Sequence, residues 1–119
     1  MTQMATMGRE LHDDVAVLVV EGEIDASNTP ELEAELRAML SNASFAVVVD
    51  VSRVSYLDSA GLNTLAVLHR ELDTRQQRLH VVAPQTSRAG RLLAITHLDS
   101  VLSVHEALRG AVDAARAHG

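Results

Sequence analysis

Apolar runs of strand length alternate along this chain with stretches that carry an apolar residue every third or fourth position. Val15 to Val20 contains no polar residue and predicts a strand buried on both faces. Phe45 to Val51 is apolar apart from Asp50 and predicts a central strand. Leu79 to Ala83 predicts another, closed by Pro84, and a short last strand is expected near Val101 to Val104. A first strand is expected near Gly8 to His12, ahead of a turn at Asp13-Asp14, with Met1 to Met7 as a loose tail. Glu21-Gly22-Glu23-Ile24-Asp25 is expected to leave the second strand as a polar loop.

Between the strands the spacing turns helical. Asn28 or Thr29 can cap a first helix, Pro30 suits its start, and Leu32, Leu36, Met39 and Leu40 mark one face. A second helix is expected from about Ser59 to Arg75, turning Leu62, Leu65, Leu68 and Leu72 inward. Ser87 can cap a third helix running through Ile95. After a loop at His97 to Ser100, Ser103-Val104-His105-Glu106 has capping-box spacing for a last helix that buries Leu108, Ala111, Val112 and Ala115. Strands alternating with helices through short loops predict an α/β fold: a mixed, largely parallel sheet of about five strands packed with about four helices. Sites in such sheets form beyond the carboxyl ends of the strands. The loops after Val20, Val51 and Ala83 are the candidates, and the one spanning 51–59 carries the richest chemistry.

At 119 residues the chain has the length of one domain, and a single one spanning residues 1–119 is expected. The absence of cysteine excludes disulfides, thiol nucleophiles and cysteine metal sites. Phe45 and Tyr56 are the only aromatics, so the core must be Val, Leu, Ile and Ala, and no base-stacking platform is expected. A formal net charge of −6 argues against nucleic acid and against an anionic membrane surface as partners. No signal peptide opens the chain and no apolar run reaches the roughly 18–20 residues of a membrane span, so a cytoplasmic protein is expected.

The feature with most chemical content is Asp58-Ser59-Ala60-Gly61-Leu62, where the second helix opens. A helix N-terminus concentrates unpaired N–H groups and partial positive charge, and it stabilises a phosphate. Ser59 can cap the helix. Asp58 can also do so, which leaves Ser59 as a hydroxyl in the first turn. Gly61 lacks a side chain, so a large partner could approach the backbone there. Asp50 suggests a receiver-type phosphoacceptor. That chemistry needs an acidic pair after the first strand and a lysine, whereas Asp13-Asp14 precedes its strand and all ten basic residues are Arg. Asp50 is expected to organise a loop instead. A hydrolase Ser59 is disfavoured because no Gly-x-Ser-x-Gly elbow exists, and the six histidines show neither triad nor metal-ligand spacing. No Walker or Gly-x-Gly-x-x-Gly loop is present, so no cofactor of the chain's own is expected. Arg88 and Arg91 flank Gly90 on the third helix, as a solvated face or a contact for an acidic partner.

Asp58-Ser59-Ala60-Gly61-Leu62 after Val47-Val48-Val49-Asp50, paired with Glu21-Gly22-Glu23-Ile24-Asp25, resembles the STAS domain of sulphate transporters and anti-sigma-factor antagonists. The resemblance spans roughly Gly8 to Ala115. It implies a single-domain bacterial anti-sigma-factor antagonist that binds an anti-sigma factor with serine-kinase activity and frees a sigma factor for transcription. It implies that Ser59 is the phosphoacceptor, that Asp25 and Asp58 are its acidic neighbours, and that a PPM-type phosphatase resets the cycle. Many relatives carry a second hydroxyl where this chain has Ala60, so Ser59 is the sole candidate acceptor in the motif. Ala60, Gly61, Leu62, Asn63 and Thr64 are the expected contacts beside it. The rival implied by the same family is an accessory subunit of a lipid-transporting ABC system.

Overall fold

In the computed structural model, which describes residues 5–40 and 45–118, five strands form one sheet in the order β1-β2-β3-β4-β5. They are β1 (Thr6–His12), β2 (Val15–Ile24), β3 (Ala46–Leu57), β4 (Arg78–Val82) and β5 (Ser103–His105). The helices are α1 (Thr29–Leu40), α2 (Ser59–Thr74), α3 (Arg88–Ile95) and α4 (Leu108–His118), with a 3-10 turn at Leu98–Ser100. Strand β1 pairs antiparallel with β2, and the other pairings are parallel. The mixed, largely parallel sheet and the four helices are as the pattern predicts.

The strand order rises steadily across the sheet. Right-handed crossovers between such neighbours put their helices on one face. Accordingly Val47, Val49, Leu79 and Val81 pack with Leu36 of α1, Leu65 of α2 and Leu93 of α3. The alternate residues Val17, Val48 and Val82 pack with Ala111, Val112 and Ala115 of α4 on the other face. Both faces of the central strands are therefore covered, which is why their sequences are apolar throughout. The core is aliphatic apart from Met39, and the two aromatics stay outside: Phe45 is 59% exposed and Tyr56 is 47% exposed.

Several boundaries differ from the sequence reading. The structure starts β1 at Thr6, within the expected tail; residues 1–4 of that tail lie outside the described residues. The polar loop expected at Glu21–Asp25 is strand as far as Ile24, and the 51–59 loop is strand as far as Leu57. The two extensions pair with each other, Glu21 opposite Arg53 and Ile24 opposite Leu57, across two register shifts. Gly22 takes a φ of 98° in the second shift. Polar residues are tolerated there because one edge of the ribbon is open to solvent, with Glu21 and Arg53 paired at 3.6 Å, while Val54, Leu57 and Ile24 still turn inward. Asp50 lies inside β3 and organises no loop; its carboxylate accepts bonds from the Ser52 N–H and hydroxyl. The expected capping box is absent: Ser103 is in β5, α4 begins at Leu108, and the Glu106 carboxylate accepts from the Gln85 N–H instead. The last strand is Ser103–His105 rather than 101–104, because Val101 ends the 3-10 turn and is half exposed.

Asp13 and Asp14 both take positive φ, the requirement of a tight two-residue hairpin turn. Arg109 of α4 donates to the Asp13 carboxylate at 2.7 Å and holds its pKa below the usual range. The hairpin is thus tied to the last helix. Beneath α4, His80 Nδ1 and His105 Nε2 lie 3.1 Å apart, with His80 buried. Such a bond needs a donor on one ring and an acceptor on the other, so protonation of both rings breaks it. Burial pushes the His105 imidazole below its ordinary value of 6.5. The folded state therefore binds this proton more weakly than the unfolded chain does. The stabilisation is complete above the unfolded pKa and is lost as pH falls through it. The melting temperature is expected to drop as pH falls below about 6.5, the ordinary histidine value, and His105→Gln to flatten that drop. Thermal melts of the two proteins above and below this pH, followed by circular dichroism, make the check.

Candidate functional site at the mouth of α2

A single residue, Asp58, separates β3 from α2. Its backbone is extended, with φ −98° and ψ −177°, and its Oδ1 accepts the Gly61 N–H at 3.0 Å. Asp58 is therefore the N-cap, and its carboxylate complements the positive end of the helix. Its own N–H donates to the Ile24 carbonyl at 3.3 Å, which ties the tip of β2 to the tip of β3. Ser59 is the first helical residue and is exposed. The cap and the hydroxyl are thus on different residues. Asp58→Ala is expected to destabilise the domain by about 1 kcal/mol, read as a shift in urea midpoint with unchanged slope.

Asp25 lies at the neighbouring tip, because Ile24 is in register with Leu57. Its Oδ1 accepts from both the N–H and the hydroxyl of Ser27, and these bonds hold its pKa below the usual carboxylate range. Asn28 Oδ1 accepts the Asp25 N–H, and Asn28 Nδ2 donates to the Glu23 carbonyl. Ser27 and Asn28 were not expected as part of this site. Asp followed closely by Ser and Asn is a local turn pattern and is the signal that finds them. Two carboxylates, Asp25 and Asp58, and two hydroxyls, Ser27 and Ser59, thus lie at the carboxyl ends of β2 and β3.

The other residues of the motif divide between surface and core. Asn63 is exposed, and Ala60 and Thr64 are half-buried. Thr64 donates its hydroxyl to the Ala60 carbonyl one turn back. Leu62 is only 7% exposed and belongs to the core, so it presents little surface to a partner. Gly61 is buried too, and the sequence argument for it needs correction. A Cβ there would lie 2.4 Å from Leu57 Cδ1 and 3.0 Å from Ile24 Cγ2. The missing side chain lets α2 sit close against the ends of β2 and β3; it does not open a way in for a partner.

Three of the six histidines are engaged elsewhere. His80 and His105 bond to each other beneath α4, and His12 bonds to Glu10. Among the described residues no three side chains gather as a metal site. What the geometry offers is an exposed hydroxyl on a helix mouth that its neighbour Asp58 caps and that tolerates a phosphate.

A family profile described as "Mlab, STAS domain" matches residues 7–104, and the chain belongs to the STAS domain family. It is 35% identical over 95 residues to an anti-sigma-B factor antagonist of Staphylococcus epidermidis, covering 80% of this chain and 87% of that one. The crystal structure of an anti-sigma factor antagonist from Mycobacterium paratuberculosis is similar at 32% identity and a TM-score of 0.83, covering 98% of this chain and 99% of the other. The anti-sigma factor antagonist SpoIIAA in its unphosphorylated form shares the fold at 18% identity and a TM-score of 0.72, covering 94% and 97%. Among the described residues no helix is long and apolar enough to cross a membrane.

Proposed function

We propose that this chain is an anti-sigma-factor antagonist that switches partners through Ser59. Unphosphorylated, it binds an anti-sigma factor with serine-kinase activity and thereby frees a sigma factor. The kinase transfers the γ-phosphoryl group of its own Mg-ATP to the Ser59 hydroxyl, releasing ADP and a proton. A PPM-type phosphatase restores the hydroxyl, and the cycle runs in the cytoplasm. The chain is the substrate and binding module of this cycle rather than an enzyme.

The observation that carries the reading is the division of labour at the helix mouth. Asp58 holds the cap, so Ser59 can be modified without removing a structural bond. The phosphate adds about −1.5 to −2 charges beside Asp58 and the Asp25 turn. The helix N-terminus stabilises it within the domain, while an interface shaped for a neutral hydroxyl meets repulsion and desolvation. The test is the intact mass after incubation with the candidate kinase and Mg-ATP, followed by mapping of the modified residue. One added phosphate on Ser59, absent in Ser59→Ala, supports the reading; no added mass refutes it. An accessory role in a lipid-transporting ABC system needs no phosphoserine. Stable co-purification with a membrane ATPase, without modification of Ser59, would decide for that role.

A further inference from the structure

A groove of about 350 Å³ lies between the end of β3 and helix α3, lined by Tyr56, Leu57, Arg88, Arg91, Leu92 and Ile95. We propose that it docks an acidic segment of the anti-sigma kinase that also carries an apolar side chain, as a second contact beside Ser59. This inference rests on the partner-switching reading and adds a site to it.

Three observations converge on the groove. The first is its apolar exposure. Among the described residues only a few large apolar side chains are exposed, and two of them line this groove: Tyr56 at 47% and Ile95 at 74%. An aromatic and a branched aliphatic flanking a cleft suit one inserted apolar side chain, and Tyr and Arg are enriched at the energetic centres of interfaces.

The second is charge. Arg88 and Arg91 are exposed and lie one helical turn apart on α3. The ion pairs of the described residues engage Arg9, Arg37, Arg53, Arg109 and Arg116; Arg88 and Arg91 are outside them, as are Arg70, Arg75 and Arg78, but these two line an apolar groove. In a chain of net charge −6, a pair of unengaged guanidiniums beside an apolar cleft selects carboxylates.

The third is continuity. Leu57 lines the groove and immediately precedes Asp58, the cap of α2. The groove and the helix mouth therefore adjoin along the chain at Leu57 and Asp58. The two patches have opposite sign: Asp25 and Asp58 at the helix mouth, Arg88 and Arg91 in the groove. A partner that presents basic groups to the first and acidic groups to the second can bind in one orientation only. The groove would then supply affinity and register, while Ser59 supplies the switch. Because the groove lies outside the phosphosite, its loss should weaken association without removing the acceptor hydroxyl.

The test uses the full chain and its cognate anti-sigma kinase. Arg88→Glu/Arg91→Glu, and separately Ile95→Asp, change exposed side chains, and their melting curves establish that each is folded. Affinity for the kinase with a non-hydrolysable nucleotide is expected to fall at least about tenfold in each, with a weaker salt dependence for the double variant. Phosphorylation of Ser59 should keep its wild-type rate at saturating kinase, so the loss falls on the half-saturating concentration alone. If both folded variants bind and are phosphorylated like wild type while Ser59→Ala is not modified, the groove proposal is overturned and the switch stands. If the wild type neither binds the kinase nor is modified by it, the partner-switching reading itself fails. If the variants instead abolish self-association seen by sedimentation and leave kinase binding unchanged, the groove's occupant is a second copy of this chain and the proposal is wrong.

Discussion

Ser59→Asp is expected to weaken binding to the anti-sigma kinase by about a hundredfold, while Ser59→Ala binds close to wild type. The magnitude follows from what a new charge meets at an interface. A carboxylate at position 59 stands beside Asp58 and near the Asp25 turn, and a partner that accommodates a hydroxyl must desolvate it against those like charges. Misplaced buried charge at an interface costs about 2–5 kcal/mol, and each 1.4 kcal/mol is about tenfold. Alanine removes one hydroxyl that the domain does not use for capping, so it adds no repulsion. Stability should move the opposite way from affinity. An acidic residue in the first turn of α2 interacts favourably with the helix end, by about 0.3–1 kcal/mol, so Ser59→Asp should melt no lower than wild type. Calorimetric titration against the kinase, with melting curves of the same samples, separates the two effects. Wild-type affinity in both variants would sink the proposed switch.

Gly90→Ala is expected to destabilise the domain by about 3 kcal/mol. An added Cβ would lie 1.9 Å from the Pro84 carbonyl oxygen, 2.7 Å from its carbon and 2.9 Å from the Ala83 oxygen. These are backbone atoms, and the Pro84 oxygen accepts two bonds that also fix the start of α3. Ser87 donates to the Pro84 oxygen through its N–H and its hydroxyl, and the Ser87 hydroxyl accepts the Gly90 N–H. Alanine is the better helix former by roughly 1 kcal/mol, but that gain is smaller than the cost of lifting α3 off the end of β4. The contrast is Gly61→Ala, where the closest atom is the end of a leucine side chain that can rotate away. Gly61→Ala should therefore cost less than Gly90→Ala. Urea denaturation of the two variants gives the order, and a Gly90→Ala midpoint near wild type would show that the helix can shift easily. Because Arg88 and Arg91 flank Gly90, a shifted α3 would also misplace the docking groove.

How much of the site could be read from the residues differs from one residue to the next. Asp58 as cap and Ser59 as the hydroxyl beside it were legible, because capping depends on residue type and position within one turn. The role of Gly61 was not. Whether a missing Cβ faces a partner or the protein's own strands depends on where β2 and β3 end, and both run past the point where their apolar runs stop. Glu106 shows the same limit: its capping-box spacing is local, but the Gln85 N–H that it binds comes from a distant loop.

By itself the sequence determined the alternation of strands and helices, the aliphatic core and the placing of Ser59 beside its capping residue Asp58. Each depends on periodicity or on contacts within a turn, which neighbouring residues specify. Only the tertiary structure decided that α4 covers the second face, that His80 meets His105, and that Arg88 and Arg91 share a groove with Tyr56. Those contacts join residues on different elements, and strand register and helix placement, rather than local spacing, set the distances between them.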